Sequence, residues 1–143
     1  MILSPNGLKF IEGFESLSLT AYPDAKGYSI GYGHYGATKG QVIDLQQAQL
    51  YLMQDTLIAA NAVNNSMKAA IPLNQNQFDA LTSLVYNIGI GDYKKSSIRL
   101  AINLGKYTLA GNDFTLYCDE EGVFNEELYK RRVAEQKLFN TGV

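Results

Sequence analysis

The sequence predicts an α+β fold: a small N-terminal antiparallel sheet beside a mainly helical lobe, with a groove between them. Three observations carry that expectation. Tyr28-Ser29-Ile30-Gly31-Tyr32-Gly33-His34 alternates large with small residues, as a strand does. From Asp44 onward, successive segments repeat apolar residues at helical spacing instead. The chain has 143 residues, 46% of them hydrophobic, which suits one core and one domain over 1–143.

The elements follow in order. Ser4-Pro5 reads as a helix start, a side-chain cap with proline at the first helical position. Leu8, Phe10, Ile11, Phe14 and Leu17 supply an apolar face, giving a helix from about Pro5 to Ser16. The sheet is expected from about Leu19 to Lys39, with a turn at Pro23-Asp24-Ala25-Lys26-Gly27. Asp44-Leu45-Gln46-Gln47 resembles a cap with a reaching glutamine, opening a long helix over Ala48 to Val63. Asn74 or Asn76 opens the helix of Phe78, Leu81, Leu84, Val85 and Ile88, and Gly89 and Gly91 close it. Ser96 or Ser97 begins another, to about Leu104. Leu109 to Cys118 and Glu126 to Phe139 complete the helical set.

Composition excludes several classes. Charged residues are 18%, below the usual quarter, and with the hydrophobic content this argues against disorder. A net charge of −2 argues against gripping nucleic acid by charge. The single cysteine, Cys118, excludes an intramolecular disulfide, and it reads as a structural thiol rather than a nucleophile paired with His34. One histidine and one cysteine make a metal site an unpromising reading, and no cofactor motif is present. The N-terminus lacks a positive region followed by an apolar run, so no export signal or stable membrane insertion is expected.

The chemistry concentrates before residue 35. On a wheel of about 100° per residue with Leu8 at zero, Phe10, Phe14 and Ile11 fall near roughly 200°, 240° and 300°. Glu15 falls near about 340° on that wheel, inside the apolar arc. Apolar surroundings desolvate a carboxylate and favour the protonated form that a general acid needs. Asp24, in the turn, reads alone as a residue bonded to its own backbone. Together, a desolvated glutamate and an ionised aspartate across a cleft are the usual apparatus for cutting a glycosidic bond. Ser29 shares a strand face with Gly31 and Gly33, a face nearly bare of side chains. Tyr22, Tyr28, Tyr32 and Tyr35 surround the segment with aromatic faces that suit sugar rings or simple packing.

The run from Glu15 through Asp24 and Ser29 to Ile30-Gly31-Tyr32-Gly33-His34 resembles the active-site segment of the phage-type lysozymes, the T4-like and lambdoid endolysin family of glycoside hydrolases. Its members carry a helix-terminal Glu, eight residues, Asp, five residues, Thr, then Ile-Gly-x-Gly-His. Glu15 and Asp24 keep that spacing. Gln77-Phe78-Asp79-Ala80-Leu81 through Tyr86-Asn87-Ile88-Gly89 is similar to the family's central helix. Ser96-Ser97 with Ala101-Ile102-Asn103 is similar to the next. Lys130-Arg131-Arg132-Val133-Ala134-Glu135 through Phe139 is similar to the closing Arg-rich helix.

The resemblance implies a lysozyme-like fold and a peptidoglycan N-acetylmuramidase that cuts the β-1,4 bond between N-acetylmuramic acid and N-acetylglucosamine. Glu15 is the expected general acid, Asp24 the ionised partner and Ser29 a hydroxyl that places water. Tyr32, His34, Asn87 and Arg131 are the expected substrate-side residues. For His34, support of the active-site loop stands beside a purely structural role. Either Arg131 or Arg132 is expected near Glu15, where its charge would act against the apolar-arc effect; solvated arginines on a last turn remain the plainer reading. The family is usually assigned inversion, which needs carboxyl groups about 6.5–9.5 Å apart.

Two departures stand out. The family threonine is Ser29, only four residues after Asp24, which leaves open whether its Oγ reaches the water site. Near Tyr117 many relatives carry tryptophan, and this chain has none. Two other classes therefore stay open: a wall-binding virion module without turnover, and a lytic transglycosylase relying on Glu15 alone. The implied role is host-cell lysis by a monomer held in the host cytoplasm until a separate membrane-permeabilising protein releases it to the cell wall.

Overall fold

A computed structural model describes residues 1–68 and 71–142. Helix α1 spans Pro5–Glu12, with the Ser4 side chain accepting from the Gly7 N–H. It stops short of Ser16. At Gly13 the ladder tightens: the Phe14 N–H bonds the Ile11 carbonyl and the Glu15 N–H the Glu12 carbonyl, closures of three residues rather than four.

Three antiparallel strands follow, β1 (Ser18–Asp24), β2 (Gly27–Gly31) and β3 (His34–Ala37), in that spatial order. Register pairs Tyr22 with Ser29 and Asp24 with Gly27. Only Ala25 and Lys26 separate β1 from β2, and Ala25 takes a φ of 49°, the positive value such short hairpins require. Gly31 has φ 69°, and a Cβ there would lie 3.2 Å from the Ala48 Cβ, so β2 presses its backbone against the helix that follows.

That helix, α2, runs Leu45–Ser66 and is capped by Asp44, which accepts from the Gln47 N–H. Asn74, not Asn76, opens α3 (Gln75–Ile88) in a reciprocal box with Gln77. Gly89, at φ 91°, closes α3; Gly91 instead lies within a short α4 (Ile90–Lys95) that the sequence reading did not separate. Ser96 caps α5 (Ser97–Asn103). The stretch expected as one helix over Leu109 to Cys118 is α6 (Tyr107–Asp113) with a 3-10 turn at Phe114–Leu116. A hairpin of β4 (Asp119–Glu120) and β5 (Val123–Phe124) precedes α7 (Glu126–Asn140). Two-residue strands are too short to show alternation, so this hairpin left no signal in the pattern.

Every residue from Gln77 to Val85 in α3 is buried, which makes it the axis of the helical lobe. Around it pack Ala59, Ala60 and Val63 of α2, Ile98 and Ile102 of α5, Ala110 of α6, Phe114 of the 3-10 turn, and Phe139 of α7. A second, smaller core joins Ile11, Tyr32, Ala48 and Leu52 beneath the sheet. Helix α2 enters both cores, and Tyr86 of α3 packs against both. Buried Asp79 fastens α1 to α3: it accepts from the Ser4 N–H at 3.1 Å, the Ser4 hydroxyl and Gln75 Nε2 at 2.8 Å. Among the described residues no helix is long and apolar enough to cross a membrane.

Candidate active site

Sheet and helical lobe leave a cleft of about 490 Å³ whose walls include Glu15, Tyr32, Tyr35, Asp55, Tyr86 and Asn87. Glu15 sits in the bend after α1, and its side chain is 21% exposed. The apolar-arc argument fails, because the helix has ended by Glu12 and helical angles past that point describe nothing. What meets the carboxylate is a guanidinium. Arg131 Nη1 donates to Glu15 Oε1 at 2.7 Å, and Glu15 Oε2 makes no hydrogen bond among the described residues. The resemblance left Arg131 and Arg132 as alternatives for this contact; the fold selects Arg131.

Neither arginine is a solvated residue on a last turn. Arg131 is 4% exposed and Arg132 fully buried, both in the first half of α7. Arg131 also donates Nε to Glu135 Oε1 at 3.1 Å and Nη2 to the Ser83 carbonyl and hydroxyl, each at 3.2 Å. Its guanidinium lies 5.3 Å from the Phe14 ring centroid. Arg132 donates to Glu135 Oε2 at 2.6 Å and to Asn87 Oδ1. Ser83 completes the knot with a 2.6 Å bond to Glu135 Oε1. Burial pushes the Glu135 carboxyl upward from its ordinary range and the Arg132 guanidinium downward, while their mutual attraction opposes both shifts. Each oxygen of Glu135 accepts from a cation, so the charged form is the one these donors fit.

Asp24 and Ser29 are together but apart from the cleft wall just described. Ser29 Oγ donates to Asp24 Oδ2 at 2.7 Å. The register explains this: Asp24 opposes Gly27 and Ser29 opposes Tyr22, so Asp24 and Ser29 are diagonal neighbours on one sheet face. The two-residue turn therefore brings the hydroxyl to the carboxylate despite the shortened loop. Ser29 is fully buried, not the open hydroxyl its glycine neighbours led one to expect.

The remaining candidates divide. Tyr32 lines the cleft, but its hydroxyl is committed to Glu12 Oε1 at 3.0 Å. Asn87 is exposed on the cleft wall and tied from behind by Arg132. Arg131 is not a wall residue; it lies behind Glu15. His34 bonds Asp55 through Nδ1 at 2.9 Å and stacks on Tyr51 with ring centroids 4.0 Å apart, so Asp55, not the imidazole, faces the cleft. Cys118 bonds the Thr115 carbonyl. Tyr117 uses its hydroxyl to accept from the Ser97 N–H at 3.0 Å, capping α5. An indole N–H only donates, so tryptophan could not replace that bond.

Sequence reasoning missed Tyr86, Asp55, Ser83 and Glu135. The Tyr86 hydroxyl donates to the Tyr32 carbonyl at 3.1 Å, bridging sheet and helical lobe. Burial first, then the charges of Glu15 and Asp55, raise its pKa above the ordinary 10.0. Glu135 did carry a signal, at four residues after Arg131 and three after Arg132. That spacing reads equally well as solvated helix pairs.

The chain matches the phage lysozyme family model over residues 12–135. It is 40% identical to the endolysin of Bacillus phage PZA over 147 residues, covering 99% of this chain and 56% of that protein. With the endolysin of Bacillus phage B103, of which it covers 55%, the chain thus spans about half the length of the first curated relatives it matches. Among solved structures, the muramidase domain of SpmX from Asticaccaulis excentricus superposes with a TM-score of 0.90 at 34% identity, covering 98% of both chains. Fold, cleft and family match agree, and the chain belongs to the phage lysozyme family.

Proposed function

We infer that the chain hydrolyses the glycan of bacterial peptidoglycan as an N-acetylmuramidase, through one catalytic domain over residues 1–143, and serves as an endolysin in host-cell lysis. The observation that carries this reading is Glu15 standing on the cleft wall, with one oxygen held by a buried arginine and the other without a hydrogen bond among the described residues. A carboxyl group so held presents its second oxygen in a set direction, as delivery of a proton to a glycosidic oxygen requires. Asp24, bonded to Ser29, would orient the attacking water or stabilise positive charge on the sugar ring. Asn87 contacts the glycan, Tyr32 shapes the wall, His34 sets Asp55, and Arg131 holds the acid. The short loop that favoured a module without turnover loses its force, since Ser29 reaches Asp24 all the same. Release from the host cytoplasm to the wall, by a separate membrane-permeabilising protein, belongs to the same proposal.

The test compares the parent with Glu15→Gln on purified, outer-membrane-stripped peptidoglycan, following turbidity and the mass of the products. The parent is expected to clear the suspension and leave reducing ends; the folded variant is expected to leave it turbid. Anhydro sugar ends would replace hydrolysis with transglycosylation. Binding by both without release of sugar would overturn the enzyme reading, and equal clearing by both would remove Glu15 from the acid's role.

A further inference from the structure

One buried carboxylate lies under two residues of the cleft at once. Glu135 is fully buried, and all its described partners are Ser83, Arg131 and Arg132. Arg131 continues from it to Glu15, and Arg132 continues to Asn87. Glu15 and Asn87 both line the cleft and come from different elements, the bend after α1 and the last turn of α3.

Neither arginine would hold its direction alone. A guanidinium on a long side chain has several rotatable bonds, and ordering it costs conformational entropy. Here the Nε–H of Arg131 is fixed on Glu135, and the planar fork then aims Nη1 at Glu15. Arg132 is aimed at Asn87 by the second oxygen of the same carboxylate. Without Glu135, buried Arg131 would keep Glu15 as its counter-charge, whereas buried Arg132 would lose its carboxylate partner beside it.

We propose that Glu135 is a positioning residue for glycan cleavage: through Arg131 it sets the direction of Glu15, and through Arg132 it sets Asn87. It touches no substrate. The proposal rests on the glycosidase reading of the cleft.

The experiment measures kcat and KM on soluble glycan fragments for the parent, Glu135→Gln, Ser83→Ala, Arg131→Gln and the doubles that combine Arg131→Gln with each of the other two. Ser83→Ala removes one donor to Glu135 and one acceptor of Arg131 Nη2 while keeping every charge and the Ser83 carbonyl contact, so it serves if Glu135→Gln does not fold. Glu135→Gln is expected to lower kcat by about 100-fold, the scale of a misplaced acid, with KM within about threefold. Ser83→Ala is expected to lower kcat in the same direction by less. In the Arg131→Gln background, both changes should lose most of their effect, because their route to Glu15 has gone. A parallel NMR measurement follows the arginine Nε–H signals. Slow solvent exchange at Arg131 in the parent and fast exchange in the variants is the expected result.

Wild-type kcat in folded Ser83→Ala and Glu135→Gln overturns the proposal, as do losses that simply multiply with that of Arg131→Gln. A parent that cleaves nothing overturns the glycosidase reading, and the proposal falls with it; a cleaving parent with unaffected variants overturns the proposal alone.

Discussion

Replacing Arg131 by lysine tests whether the guanidinium fork, rather than a positive charge, organises the site. Arg131 makes contacts to Glu15 at 2.7 Å, to Glu135 at 3.1 Å, and to the Ser83 carbonyl and hydroxyl at 3.2 Å. An ammonium is a point donor on a flexible stem and cannot span two carboxylates on different elements. Glu135 keeps Arg132 and Ser83, so the lysine is expected to hold one carboxylate and abandon the other. At least two hydrogen bonds are lost. Each is worth about 1 kcal/mol net when neutral and about 1.5–3 kcal/mol when charged. The surrounding buried groups relax in part, and the expected loss is about 2–4 kcal/mol. At roughly 3 °C per kcal/mol for a chain of this size, Tm falls by about 6–12 °C. The acid, no longer aimed, should lose about 100-fold in kcat while KM moves little. Circular dichroism melts and reducing-sugar release read the two effects on the same preparation. A variant that melts within about 2 °C of the parent and turns over at its rate would refute the reasoning, since charge alone would then suffice.

Two further outcomes follow from the packing around the site. Gly7→Ala is expected to destabilise by about 1–3 kcal/mol in urea unfolding, despite a helix-propensity gain of about 1 kcal/mol. Its Cβ would lie 2.6 Å from Asp79 Cγ, and Asp79 is buried and held by Ser4 and Gln75; an unchanged or higher midpoint would contradict that packing. Tyr86, whose raised pKa comes chiefly from burial, favours the protonated phenol in the fold. Its contribution is therefore complete below the ordinary 10.0 and is lost as pH rises from there through the folded value, at up to about 1.4 kcal/mol per pH unit. Tyr86→Phe should cost about 1 kcal/mol at neutral pH, through the lost bond to the Tyr32 carbonyl, and should flatten the decline above pH 10. Parallel alkaline slopes for parent and variant would count against it.

What the sequence alone determined was local. Caps are read by residues three positions away, so Ser4 and Asp44 marked helix starts that the fold keeps, while Asn74 or Asn76 and Ser96 or Ser97 marked two more, of which the fold uses Asn74 and Ser96. Alternation has a period of two, so the strand from Tyr28 was legible, and the spacing of Glu15 and Asp24, though not of Ser29, could be matched to a family pattern. The tertiary structure decided the rest. The end of α1 depends on turn closures after Gly13, so the angle assigned to Glu15 on a wheel was meaningless. Whether Asp24 and Ser29 meet depends on register across β1 and β2, which loop length alone does not set. Which arginine holds Glu15, 116 residues away in sequence for Arg131, depends on how α7 packs against α3. Glu135 shows the limit most clearly. Its spacing from Arg131 and Arg132 is that of a surface ion pair. Only burial between two helices removes the water that would otherwise make those charges nearly indifferent to one another.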